Sequence, residues 1–99
     1  MLVSASTTGA EFKPCITFIL YSQRDKGLYI GYTTNIKNRL KEHAEGSVIS
    51  TKARRPFKLI FLESYVNKGD AMRREKYLKT TVGRKMLKVM LRDTLSENK

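Results

Sequence analysis

The sequence is short of acidic residues, has one cysteine, and contains no long apolar run. Nine Asp and Glu stand against twenty Lys and Arg in 99 residues, a formal net charge of +11. The single cysteine, Cys15, excludes an internal disulfide and a zinc cluster. It fits a reducing, cytoplasmic setting and reads as a small, partly buried hydrophobe just before a strand. No apolar run approaches the ~18 residues of a membrane span. The first residues, MLVSASTTGAEFKP, have no basic segment followed by an apolar one, so they do not read as a secretory signal. Internal repeats are absent. So are zinc-finger spacing and a recognition-helix module, which removes the usual means of reading a base sequence.

What is present suits a small folded domain. A length of 99 residues implies one domain with a modest core, and 40% hydrophobic content is too high for a disordered chain. The charge is uneven. Residues 1–50 hold six Lys/Arg and four Asp/Glu, whereas residues 51–99 hold fourteen and five. A field of that sign attracts polyanions, and a clustered basic excess is expected of a nucleic-acid binder. A basic surface with no nucleic-acid role, or one serving an acidic partner, is the plainer alternative. Binding to a membrane surface is disfavoured, since it needs free apolar residues on a basic helix and those positions are expected to fill the core.

Along the chain, residues 1–14 read as a flexible tail. Ile16–Tyr21 is β-branched and aromatic, as is Leu28–Thr33, and with the turn Ser22–Gly27 between them they form a hairpin. Thr34 or Asn35 caps a helix whose buried stripe is Ile36, Leu40 and Ala44 and which Gly46 ends. Residues 47–56 read as a loop. Its cations Lys52, Arg54 and Arg55 and its hydroxyls Ser50 and Thr51 suit either solvent or phosphate contacts. Phe57–Val66 is a third strand with Leu59–Leu62 as a buried run. A turn at Asn67–Asp70, with Asp70 as cap, leads to a helix over Ala71–Lys79. Val82–Leu95 reads as an amphipathic helix with Val82, Met86, Val89 and Met90 packed inward, the methionines as core filler, and Arg84, Lys85 and Lys88 outward. Residues 15–95 thus form an α+β layer: a small, mainly antiparallel three-stranded sheet with about three helices. Residues 96–99 are expected to fray.

Three features carry chemistry. Glu75 lies on the stripe Ala71, Leu78 and Val82, where a carboxylate is costly unless paired or bound to a metal. Arg39 and His43, four apart, share a helix face and suit an anionic ligand or proton transfer; solvation of both is the alternative. Tyr29 sits in a strand, where packing is the ordinary role of a tyrosine. Phenols titrate near 10 and are poor bases at neutral pH unless cations or a metal lie close.

Three blocks, LYIGYTTNIKNRLKEH at 28–43, RRPFKLIFLES at 54–64 and AMRREKYLK at 71–79, occur in an order that resembles the GIY-YIG nuclease domains. The likeness is to small stand-alone bacterial members related to the N-terminal nuclease domain of the UvrC excision-repair subunit, and it spans roughly Ile16–Leu95. It implies that Tyr29 deprotonates the attacking water, that Arg39 contacts the reacting phosphate with His43 beside it, and that Glu75 holds a single Mg²⁺ or Mn²⁺. It implies that Gly31 permits close approach. Lys52, Arg54, Arg55, Arg84, Lys85 and Lys88 would hold the DNA backbone. One departure stands out: Phe18 occupies the place of the first motif's tyrosine, and Tyr21 stands too close to Tyr29 to replace it. Tyr32 is the hydroxyl that could substitute.

The resemblance therefore implies a metal-dependent DNA endonuclease of the repair or recombination type, acting on DNA shape, branched or damaged, or through a protein partner. The monomer, or a weak dimer, would cut one strand per site. A nucleic-acid-binding module without catalysis is the alternative that Phe18 favours.

Overall fold

The computed structural model describes residues 12–98. Most of the stretch read as a tail, and Lys99, lie outside the described residues. The elements run β1 (Cys15–Ser22), β2 (Leu28–Thr33), α1 (Ile36–Glu45), α2 (Ile49–Lys52), β3 (Phe57–Tyr65), α3 (Lys68–Leu78), α4 (Thr81–Met90) and α5 (Arg92–Glu97). The sheet is antiparallel throughout, in the order β2-β1-β3.

The central strand explains the layering. Every residue of β1 is buried, so its apolar run faces helices on both sides. Ile16, Phe18 and Leu20 form one core with Ile36 and Leu40 of α1 and with Tyr29, Phe57 and Leu59 of the outer strands. On the opposite face, Ile19 and Ile30 pack against Leu78 of α3, Leu87 of α4 and Leu91 between α4 and α5. The alternation of side chains along a strand thus divides the helices: α1 and α2 on one face, α3 to α5 on the other. Cys15 is buried inside β1 rather than ahead of it.

Several sequence expectations are corrected. Segment 47–56 is not all loop, because α2 forms within it. On α1, Asn35 is the cap, its Oδ1 accepting from the Asn38 N–H at 3.0 Å. The residue facing inward there is His43, while Ala44 is exposed. The run Leu59–Leu62 is only partly covered, because β3 is an edge strand with a bulge opposite Ile19 and Leu20. α3 begins before the expected turn ends: Asn67, not Asp70, is the cap, and its Oδ1 accepts from the N–H of Gly69 and of Asp70.

The largest correction is the last helix. It breaks near Leu91 into α4 and α5, and α5 orders residues 96 and 97, which were expected to fray. Gly83 and Leu87 face the core from α4, whereas Val82, Met86, Val89 and Met90 are exposed. Gly83 is the cause. A Cβ there would fall 2.1 Å from the Tyr77 carbonyl oxygen and 2.7 Å from the Leu78 Cα, so the glycine lets α4 lie on the end of α3. That contact rotates the methionines outward; they are not core filler, and the core does not consume these apolar positions. No helix among the described residues is long and apolar enough to cross a membrane.

Candidate active site

Strand β2 supplies the floor of the candidate site. Tyr29 and Gly31, two residues apart, point toward the α1 layer. The absence of a side chain at Gly31 is a packing requirement, since a Cβ there would lie 2.6 Å from Phe18 Cζ and 3.0 Å from Tyr29 Cε2. Phe18 is fully buried beneath. Its ring centroid lies 6.2 Å from that of Tyr29 and 6.0 Å from that of His43, and the Tyr29 and His43 rings meet edge-on at 5.0 Å. Phe57 closes the group at 6.1 Å from His43.

His43 is 1% exposed. Its Nδ1 lies 2.8 Å from the hydroxyl of Thr51, itself fully buried in α2. That hydroxyl also lies 3.3 Å from the Val48 carbonyl; donating there it accepts from Nδ1, and donating to Nδ1 it selects the other tautomer. Nε2 is buried and has no hydrogen-bond partner among the described residues. Burial, and then the Arg39 charge, push the imidazole pKa below its ordinary 6.5. The ring is therefore neutral at neutral pH, with Nε2 left unpartnered. Thr51, suggested by the sequence for phosphate contact, is committed to this histidine. Nothing in the sequence pattern marked that pairing, because it joins two helices across a turn.

One turn before His43, Arg39 is about one-third exposed and donates to Glu42 at 2.9 Å. Glu42, with the Tyr29 hydroxyl contributing, holds the guanidinium firmly in its charged form. The structure therefore brings Tyr29, Arg39, His43 and Phe18 together. Tyr32 is not among them. It pairs with Thr17 on the opposite face, where the Thr17 hydroxyl donates to Ala71 O of α3. Its own hydroxyl is buried without a hydrogen-bond partner, and the Cys15 thiol beside it pushes its pKa up. Strand alternation thus prevents Tyr32 from replacing a hydroxyl at Phe18.

Glu75 stands in the other helix layer, on α3. Its side chain is 17% exposed and pairs with Lys79 at 3.1 Å; no hydrogen bond or ion pair joins it to Tyr29, Arg39 or His43 among the described residues. Ala71 and Leu78 of its expected stripe are buried, and Val82 is not. The same described residues hold no group of three His, Cys, Asp or Glu side chains that could bind a metal together.

The basic residues divide between the two layers. Lys52 ends α2 and is exposed. Arg54 is held by Asp25 at 2.6 Å and lies over the Phe57 ring; this pairing and the Gly27 N–H bring the Asp25 carboxyl down to about 2. Arg55 donates to the carbonyls of Lys52 and Ala44, closing the end of α1. Arg84, Lys85 and Lys88 project from α4 in the opposite layer.

The family model of the GIY-YIG catalytic domain matches residues 14–88. The UPF0213 protein SH2523 of Staphylococcus haemolyticus is 41% identical over 68 residues, covering 68% of this chain and 83% of that protein. The UPF0213 protein YsiG of Lactococcus lactis is 38% identical over 84 residues, covering 84% of this chain and 80% of its own length. The solution structure of the UPF0213 protein BH0048 from Bacillus halodurans shares the fold, with a TM-score of 0.52 at 33% identity over 86% of this chain and 92% of that one. A sheet of order β2-β1-β3 presenting a YIG tyrosine to a helix arginine and histidine, in a sequence matched over that whole region, places this chain in the GIY-YIG catalytic domain family, a family of nucleases.

Proposed function

We propose that the protein is a divalent-metal-dependent DNA endonuclease that hydrolyses phosphodiester bonds in processing of the repair or recombination type. The observation that carries this reading is the packing of Tyr29 on a neutral, buried His43 beside the charged Arg39. Tyr29 takes the proton of the attacking water. Arg39 stabilises the charge that grows on the phosphate oxygens. A phenol acts as a base only where a cation or a metal stabilises its deprotonated form; Arg39 is the cation beside Tyr29, and the buried His43 packs against its ring.

Glu75 is the residue that would hold the metal. A lone, mostly buried carboxylate fits Mg²⁺ or Mn²⁺, which keep most of their waters and take one or two carboxylates plus a substrate phosphate; Lys79 must release it first. Bound there, such an ion would supply positive charge to the phosphate and to the leaving oxygen. The basic side chains Lys52, Arg54 and Arg55 flank the cluster, and Arg84, Lys85 and Lys88 add a sequence-independent attraction to the backbone. The substrate is selected by shape, such as branched or damaged DNA, or through a protein partner.

The test is cleavage of plain, nicked and branched duplexes with Mg²⁺ or Mn²⁺ by the wild type, Glu75→Ala and Tyr29→Phe. The expected result is cleavage lost in both variants with DNA binding retained. Equal cleavage by all three refutes the roles given. Phe18 favours a second reading, a binding module without catalysis, which predicts salt-sensitive binding and no cleavage with any metal.

A further inference from the structure

A concavity opens on the α1 face of the sheet, between α1, α2 and β3. It has a volume of about 890 Å³, within the roughly 300–1,000 Å³ usual for ligand clefts. Leu40, Phe57 and Leu59 form its floor, and Arg24, Lys52 and Arg55 stand around it; no carboxylate lines it. Ile49 forms one wall and is 92% exposed, the most exposed large hydrophobic residue among those described. An isoleucine at that exposure on a basic rim is unexplained by the core. Its position is nevertheless fixed, because α2 is anchored by the buried Thr51 to His43. The Phe57 ring that floors the cleft is also the one packed on His43. The cleft and the Tyr29–Arg39–His43 cluster therefore share a wall.

An apolar floor and wall within a rim of cations matches a ligand with a flat apolar body and an anionic backbone. A continuous duplex offers the anions but keeps its bases stacked inside. We infer that this cleft receives an unpaired nucleotide, its base between Ile49 and the floor and its flanking phosphates on Arg24 and Lys52, whose side chains have no ion-pair partner among the described residues. Apolar side chains inserted beside bases, with cations on the phosphates, are the means by which proteins hold extruded or single-stranded nucleotides. This rests on the nuclease reading and sharpens it: the substrate is DNA with an unpaired base next to the scissile bond.

The experiment measures binding by fluorescence anisotropy in EDTA, where no cleavage occurs. The probes are a labelled short oligothymidine, a duplex of equal length, and that duplex with one bulged thymidine. The wild type should prefer the unpaired probes to the duplex by about fivefold or more, the low end of a single stacked base. Ile49→Ala and Lys52→Ala should erase that preference, and Lys68→Ala, an equal charge change in the other layer, should keep it. Equal binding of all probes, or a preference that survives in Ile49→Ala and Lys52→Ala, overturns the cleft while leaving nuclease activity to its own cleavage assay. Competition by polyglutamate as effective as by oligothymidine also overturns it, as an acidic-peptide site. Failure to bind any probe, with no cleavage in Mn²⁺, overturns the nuclease reading and the cleft together.

Discussion

Replacing Thr51 with valine keeps the shape of the side chain and removes one hydroxyl. In the structure that hydroxyl is the partner of His43 Nδ1 at 2.8 Å, and both side chains are buried. The change leaves a buried ring nitrogen without its hydrogen-bond partner. A buried donor or acceptor left unsatisfied costs about 1–3 kcal/mol. For a domain of this size each kcal/mol lowers the melting temperature by about 4–8 °C. Thr51→Val should therefore melt at least about 4 °C below the wild type, and Thr51→Ser, which keeps the hydroxyl, should lie between them. Thermal and urea unfolding by circular dichroism give the numbers. Nitrogen-15 correlation spectra of the imidazole give the cause: the wild type holds a single tautomer, and Thr51→Val mixes the two. A Thr51→Val protein within about 0.5 kcal/mol of the wild type, the range of an indifferent substitution, would refute the claim that α2 positions the histidine.

Other predictions follow from packing and titration. Gly83→Ala drives a methyl into the Tyr77 carbonyl, where backbone must move, so a loss above the usual 1–3 kcal/mol of overpacking is expected in urea unfolding; wild-type stability would contradict the α3–α4 contact. Leu87→Ala should cost about 2–5 kcal/mol, whereas Met86→Ala, on the exposed face, should stay within about 0.5 kcal/mol. The reverse order would restore the inward methionines that the sequence pattern suggested. His43 is the only histidine, and its folded pKa lies below 6.5, so the unfolded chain takes up this proton first. Stability from it is complete above about pH 6.5 and is lost as pH falls from there through the folded pKa, at up to about 1.4 kcal/mol per pH unit. Urea midpoints measured across that range should show the slope in the wild type and lose it in His43→Phe.

The strands and the helix of the YIG block were legible because their signals are local: β-branched runs bounded by turn residues, and Gly46 at a left-handed helix end with φ of 80°. The face of α4 was not legible, because its inner contact is made by a glycine, which carries no hydrophobic signal. The Thr51–His43 bond joins residues with no shared period, so it required the fold. Strand alternation already sets Tyr32 on the face opposite Tyr29; the register of β2 against β1 adds that Tyr29 is the one toward α1. The likeness to a nuclease family rested on ordered motifs and is matched by the family comparison, whereas the placement of Glu75 opposite the α1 layer could only come from the packing of α3.

Tyr29, Arg39 and His43 are proposed to form one hydrolytic centre. Single-turnover cleavage of a bulged DNA duplex in Mn²⁺ tests it most directly, comparing wild type, Tyr29→Phe, Arg39→Ala and His43→Gln under conditions where circular dichroism shows each is folded. Cleavage by the wild type is expected, with a loss of about a hundredfold or more in each variant, the scale of a lost general base or charge-stabilising donor. Cleavage at the wild-type rate by any folded variant of the three would contradict it.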